Sequence, residues 1–320
     1  MRLGLFLNFE HGEETNLAAF QRQIDLAEKA ELFGLDELWA SEHHFSAFTQ
    51  SSATLALMAY LSGRTRRIRI GAAAILLPLH DPIRLAENLA TIDLLSQGRL
   101  NLGLARGGPF PAQYAHFNVD PGEVRARSDE AANLLFRLLA EQDVTFKGRW
   151  RSCEGVTVYP RLLQPRLPVW VASADKGAVV AAAQRGQGLM AGHAWSPEQM
   201  SELCATYHAA APDGADPDLV ILRNVCVADT DEAAQKAALP ALQRFADKMR
   251  LHMGRPPAAV SLESALTHAL IGSPETCRTR LDALRAAVPV GSLVLKISCL
   301  DPGLAVESLQ RFASEVAPRA

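Results

Sequence analysis

Long apolar runs are missing from this 320-residue chain. The N-terminal one, Met1 to Leu7, meets Asn8 and Glu10 before it reaches the length of a secretory leader core or a membrane span. The expectation is a cytoplasmic protein with no membrane partner. Paired cysteines are missing too. Cys153, Cys204, Cys226, Cys277 and Cys299 are odd in number, widely spread and without a CxxC pair, which argues against a disulfide framework and a zinc cluster. Reduced, mostly buried thiols and no metal centre are expected. Strong charge of either sign is absent: 32 basic against 35 acidic residues leave a net charge of −3 and no electrostatic reason to bind nucleic acid. No short repeat, low-complexity tract or charge block is present. No G-x-G-x-x-G follows the first apolar run, which lowers the case for a dinucleotide fold.

What is present is alternation. With 48% hydrophobic residues there is ample material for a core. Strand-like runs at 2–8, 35–40, 68–74, 100–104, 168–172, 188–191, 220–227 and 292–298 are separated by stretches with helical spacing or helix-start signals. Eight strands alternating with helices predict a closed α/β barrel, a (β/α)8 TIM barrel, forming one domain over residues 1–320. Residues 144–160 read as a hairpin insertion, and 254–269 as a variable loop. The long Gly-, Pro- and aromatic-rich stretch 106–122 is a rim loop of the kind that usually carries function.

Barrel enzymes keep their chemistry at the C-terminal ends of the strands. There the second strand is followed by Glu42, His43, His44 and Phe45. Histidine exchanges protons near neutral pH, and a carboxylate such as Glu42 can orient a ring or raise its pKa. On an extended chain the two histidines diverge, so they do not share a metal. Structural and catalytic roles for this pair both stay open on the sequence alone. The third strand ends in Ala72, Ala73 and Ala74, a surface low enough for a flat ligand or for close helix packing. Arg106 and Gly107 follow the fourth strand and, with Arg125, can clamp a phosphate or simply face solvent. After the fifth, Ser173, Ala174, Asp175, Lys176 and Gly177 lead into a helix whose free N–H groups suit an anion, although Asp175 also suits the N-cap.

Taken in order, Trp39 with Glu42 to Phe45, Gly71 to Pro78, Pro82 with Arg84 and Glu87, Gly98 and Arg99, Gly103 with Arg106 and Gly107, and Pro168 to Val171 carry a family pattern. The chain resembles the bacterial luciferase-like family of flavin-dependent monooxygenases, most closely the luciferase α subunit. The match is dense through residues 1–125 and thinner over 160–190 and from Gly272 onward. The resemblance implies a (β/α)8 barrel that takes reduced FMN from a separate flavin reductase and uses it with O2 to oxidise a small organic substrate. It implies that His43 is catalytic, with Glu42 and His44 in support. It implies that Ala73 and Ala74, joined by a cis peptide bond, lie by the flavin ring, and that Arg106 and Arg125 contact the phosphate. It also implies a homodimer, or a heterodimer with a paralogue.

Three departures stand out. Ala105 occupies the place of the luciferase α subunit's reactive cysteine, which argues against close identity with luciferase but not against flavin chemistry. Ala174, Asp175 and Ala178 stand where the family offers glutamate, serine and threonine to the FMN phosphate, leaving that task to Arg106, Arg125, Lys176 and backbone N–H groups. Residues 255–269 replace a longer loop. Two alternatives follow: a deazaflavin-dependent hydride-transfer enzyme of the same fold, and a non-catalytic partner subunit. The substrate pocket is expected at 8–14, 109–118 and 190–195.

Overall fold

The computed structural model describes residues 1–108, 110–252 and 262–318. Its strands are β1 (Arg2–Leu7), β2 (Glu37–Ala40), β3 (Arg69–Leu76), β4 (Leu100–Ala105), β5 (Val144–Lys147), β6 (Ser152–Val156), β7 (Val169–Ala172), β8 (Gly188–Ala191), β9 (Leu219–Val227), β10 (Leu270–Gly272) and β11 (Val290–Ile297). The helices are α1 (Asn16–Leu32), α2 (Thr54–Arg64), α3 (Pro82–Leu95), α4 (Pro111–His116), α5 (Val124–Ala140), α6 (Lys176–Gln184), α7 (Pro197–Ala210), α8 (Asp231–His252), α9 (Leu262–Thr267), α10 (Pro274–Ala287) and α11 (Pro302–Arg311).

Strands β1, β2, β3, β4, β7, β8, β9 and β11 pair in parallel, and the β8–β9 and β9–β11 ladders close the ring. This is the expected (β/α)8 barrel, built from the eight strand-like runs. Helices pack outside it, and a continuous layer of Leu, Ile, Val and Ala between helices and strands forms the main core. Local sequence sets the helix starts. Asp81 accepts from the N–H groups of Ile83 and Arg84 with Pro82 in the first turn of α3, and Ser196 with Gln199 forms a capping box on α7.

Inside the barrel, Trp39 and Trp170 meet edge to face at 5.3 Å, together with Met190, Val220 and Val294. The indole of Trp39 donates to buried Glu37, which also accepts from Ser292 and Arg2. This plug closes the lower end and leaves the C-terminal mouth as the open one.

Three elements depart from the reading of the sequence. β10 pairs with β9 on the edge opposite β11, beyond the β8–β9 ladder, with Leu270 opposite Val225 and Gly272 opposite Val227. A three-residue strand carries too little periodicity to be seen in advance. The rim stretch 106–122 contains the short helix α4. Of the loop expected at 254–269, residues 254–261 lie outside the described residues, and 262–267 are the helix α9. Residues 144–147 and 152–156 pair antiparallel, with the turn at Gly148 to Arg151. The five cysteines are free thiols, four of them buried. No helix among the described residues is long and apolar enough to cross a membrane.

Candidate active site

Small residues at three neighbouring strand ends make room at the mouth. Ala73 and Ala74 of β3, Ala105 of β4 and Ala172 of β7 border a hollow of about 270 Å³, with Met190 and Trp195 on the far side. The Ala73–Ala74 peptide bond is cis. The β3–β4 register shifts across the same place, between Ala72 and Ile75. Flat apolar walls without protruding side chains suit a planar ring.

One residue further along β4 and β7 the surface turns polar. Arg106 follows Ala105 and donates to the Ser173 hydroxyl, which follows Ala172, at 3.2 Å. Gly107 has φ +100, a conformation that favours glycine, and a side chain there would strike the Tyr114 hydroxyl. From the first turn of α5, Arg125 reaches across to Asp175 Oδ2 at 3.1 Å, while Arg106 stands 3.8 Å from Asp175 Oδ1. A side chain at Gly177 would displace the Arg125 guanidinium, so the glycine lets the arginine lie over the start of α6. Asp175 Oδ1 also accepts from the Ala178 N–H as the N-cap of α6. Arg106, Ser173, Arg125 and the start of α6, the residues expected to meet a phosphate, therefore lie together, with the Asp175 carboxylate held between the two arginines. Ala174, Lys176 and Gly177 are exposed beside it, and Lys176 makes no ion pair among the described residues.

The histidine stretch arranges itself differently from the sequence-based expectation. Glu42 Oε1 accepts from His44 Nε2 and from His80 Nε2, both at 2.8 Å, and Glu42 Oε2 accepts from the Leu76 N–H at 3.1 Å. Glu42 thus ties the end of β2 to the end of β3 through His44 and His80, and it does not hold the His43 ring. Burial alone would raise the Glu42 carboxyl, but the hydrogen bonds from His44 and His80, with the charge of His80 and the Leu76 N–H, outweigh it and hold the group at about 2. His44 packs edge to face on Phe117 at 4.8 Å.

His43 turns the other way, toward Phe110, whose ring lies 6.0 Å away edge to face. Among the described residues no side-chain hydrogen bond is made by its imidazole. Burial, and after it the nearby Lys296 charge, push its pKa down to about 4. Across the mouth, burial, Lys296 and Arg223 push His193 down to about 3, and its ring meets Phe245 at 5.4 Å.

Lys296, near the C-terminal end of β11, is the group that sequence reasoning missed. Its ammonium pairs with Glu10 at 2.9 Å and lies 3.2 Å from the centre of the Phe245 ring. Burial lowers its pKa, opposed by the Glu10 charge and hydrogen bond. The signal was available, because a cation in the run Leu293-Val294-Leu295-Lys296-Ile297 has to face either a partner or the barrel mouth. His80, which follows the short turn at Leu77–Leu79, gave no such signal.

The two lowered histidines predict a pH dependence of stability. Between the ordinary value near 6.5 and the lowered ones, the unfolded chain binds protons that the folded chain refuses, so stability rises with pH there. Urea midpoints should be level above pH 7 and fall as the pH drops from 6.5 toward 4. His43→Gln combined with His193→Gln should flatten that part of the curve, and an unchanged slope would contradict the assignment.

A closed parallel barrel with a ligand-sized hollow and convergent polar groups at its C-terminal mouth is the architecture of a barrel enzyme. Residues 1–290 match the family model described as luciferase-like monooxygenase, and the chain belongs to that family. It is an oxidoreductase. The oxygenase component of a flavin-dependent trigonelline monooxygenase from Acinetobacter baylyi is 29% identical over 247 residues, 74% of this chain and 68% of that one. The 4-hydroxyprotoasukamycin monooxygenase of Streptomyces nodosus subsp. asukaensis is 29% identical over 99% of this chain and 91% of its own. A monooxygenase from Streptomyces bottropensis superposes with a TM-score of 0.89 at 26% identity, over 99% of both chains. At lower identity, and so for the fold alone, two further structures match. The oxygenating constituent of 3,6-diketocamphane monooxygenase from Pseudomonas putida, in complex with FMN, gives 0.82 at 21%, over 100% of this chain and 98% of that one. An F420-dependent secondary alcohol dehydrogenase gives 0.79 at 17%, over 99% of both.

Proposed function

We propose that this chain is the oxygenase component of a two-component system, taking reduced FMN from a separate flavin reductase and using O2 to oxidise a small organic substrate. The observation that carries the reading is the continuity of the mouth. The alanine-walled hollow passes, within one residue on both β4 and β7, into Arg106 and Ser173, which is the order of a planar ring followed by an anionic tail.

Bound reduced FMN would supply the electrons for activating O2. The protein binds and orients. Ala73, Ala74, Ala105 and Ala172 give the ring a flat wall, while Met190 and Trp195 limit water on the other side. Arg106, Arg125, the Ser173 hydroxyl and the backbone from Ala174 to Gly177 hold the phosphate, with Gly107 shaping the turn and exposed Lys176 adding charge. His43, neutral at physiological pH, accepts a hydrogen bond from the reacting group and takes or returns a proton at its ring nitrogen. Glu42, His44 and His80 keep the ends of β2 and β3 together beneath it. A homodimer is the assembly that accompanies this reading.

Asp175 sets the strength of the phosphate contact, since the cofactor must displace its carboxylate from Arg106 and Arg125. Asp175→Asn should tighten FMN binding about tenfold, the value of one charge-assisted contact, and leave riboflavin binding unchanged. Fluorescence titration with both flavins reads this, and equal effects on the two would refute it.

A deazaflavin-dependent hydride-transfer enzyme is the second reading. The neutralised arginines favour it, because they make FMN's terminal phosphate a weaker anchor. Oxygen uptake separates the two: with NADH, a flavin reductase and FMN, the protein should raise the coupled consumption of O2 in the presence of an oxidisable substrate. A protein that ignores oxygen and reacts only with a hydride donor would establish the second.

A further inference from the structure

A second and larger cavity, of about 720 Å³, opens from the same mouth between α1, α8 and α11. Phe6 borders both it and the alanine-walled hollow, so the two spaces adjoin. Leu26, Phe48, Leu242 and Val306 supply apolar wall between charged side chains of Glu14, Arg22, Asp25, Lys29 and Arg244, and the floor, from the ends of β1 and β11, is polar: Asn8, Glu10 and Lys296.

The floor is organised around one oxygen. Glu10 Oε1 accepts from Asn8 Nδ2 at 2.7 Å and from Lys296 Nζ at 2.9 Å. A carboxylate cannot donate, so this bond orients the amide, with its nitrogen on Glu10 and its oxygen turned away. That oxygen, Asn8 Oδ1, is buried, and among the described residues nothing donates to it. Asn8 as a whole is only 4% exposed. An acceptor buried without a donor costs about 1–3 kcal/mol, so a fold that keeps one at the base of a cavity gains when a ligand completes it. Lys296 is in the matching condition. Of its three N–H groups one serves Glu10 and one faces the Phe245 ring, which leaves a donor without an acceptor among the described residues.

We propose that this cavity is the substrate site and that it takes an uncharged organic molecule carrying a hydroxyl group beside a carbonyl group, a cyclic hydroxy ketone. The hydroxyl donates to Asn8 Oδ1, and the carbonyl oxygen accepts from Lys296 Nζ. At the floor Glu10 already pairs with Lys296, and Arg22 in the wall is paired with Glu14, so the two groups left to a ligand there, Asn8 Oδ1 and an N–H of Lys296, are met by one neutral donor and one neutral acceptor. Size decides against a very small ketone, because a cavity of about 720 Å³ has room for two or more fused rings. The site's role as a substrate site rests on the oxygenase reading; its binding preference does not.

Calorimetric titration of the full chain without flavin tests it with three bicyclic probes: 2-hydroxy-1-tetralone, 1-tetralone and 1,2,3,4-tetrahydronaphthalene. The hydroxy ketone should bind about tenfold tighter than the ketone, and the ketone about tenfold tighter than the hydrocarbon, one unpaired group being met at each step. In Asn8→Ala the first preference should vanish; in Lys296→Met the second should. Equal affinities of the three probes for the unaltered protein would overturn the proposal without any variant having to fold, as would a hydroxy ketone preference that survives Asn8→Ala. The two readings fail separately. A protein that shows the probe order but binds no FMN or reduced FMN keeps this site and loses the oxygenase, while one that binds reduced FMN and shows no probe order does the reverse.

Discussion

His43→Ala should lower the turnover of substrate oxidation by about 10²- to 10⁴-fold, the range for loss of a positioned acid–base group, while the Kd for reduced FMN changes by less than about threefold, far short of the hundredfold that 2.7 kcal/mol represents. The split follows from geometry. His43 stands at the end of β2 beside Phe110, in a crevice that Arg106, Ser173 and Arg125 do not line, so its loss leaves the anionic end of the cofactor site untouched. The pH profile supplies a second reading. With its pKa pushed down to about 4 by burial and Lys296, His43 is neutral through the physiological range, so the acid limb of kcat should lie near 4 and not near 6.5. Replacing the nearby cation, Lys296→Met, should move that limb upward, since Glu10 would then stand unpaired near the imidazole and favour its charged form. A limb that stays put, or a His43→Ala protein that turns over normally, would remove His43 from the chemistry.

Ala172→Phe should abolish flavin binding, weakening it by more than about a hundredfold, which corresponds to about 2.7 kcal/mol. Ala172 is half-buried at the end of β7, borders the hollow directly, and a benzyl group there takes up a large part of a space of about 270 Å³. Because the side chain enters the hollow and not the closely packed layer between helices and strands, the thermal midpoint should change little. Loss of the fold together with binding would say that the hollow is packed core; retained binding would say that the flavin lies elsewhere.

How far the sequence reached these conclusions depended on the range over which each signal acts. The eight barrel strands and most helices were legible because their periodicity runs over many residues and their caps, such as Asp81-Pro82, are local. β10 was not, since three residues show no alternation and its existence depends on the exposed edge of β9. The N-cap role of Asp175 was visible in the sequence, as was its awkwardness for a phosphate, and the two turn out to be one arrangement with Arg106 and Arg125. Glu42 was legible as a carboxylate able to orient a ring of this stretch, though not which ring, and neighbours on an extended chain face opposite ways. The argument that separated His43 from His44 also separates Glu42 from His43 and brings Glu42 to His44, two residues on. The Glu10–Lys296 pair joins the two ends of the chain, 286 positions apart by number, through the adjacency of β1 and β11. Only closing the barrel brings those strands together, so no local pattern could announce the pair.

The central claim is that the mouth of this barrel holds reduced FMN. Anaerobic titration of the purified full chain with photoreduced FMN, followed by flavin fluorescence and repeated with a reduced deazaflavin cofactor, tests it most directly. The account predicts saturable binding of reduced FMN at tens of micromolar or tighter, lost in Ala172→Phe and strengthened in Asp175→Asn. Failure to bind at those concentrations, or binding of the deazaflavin alone, would contradict it.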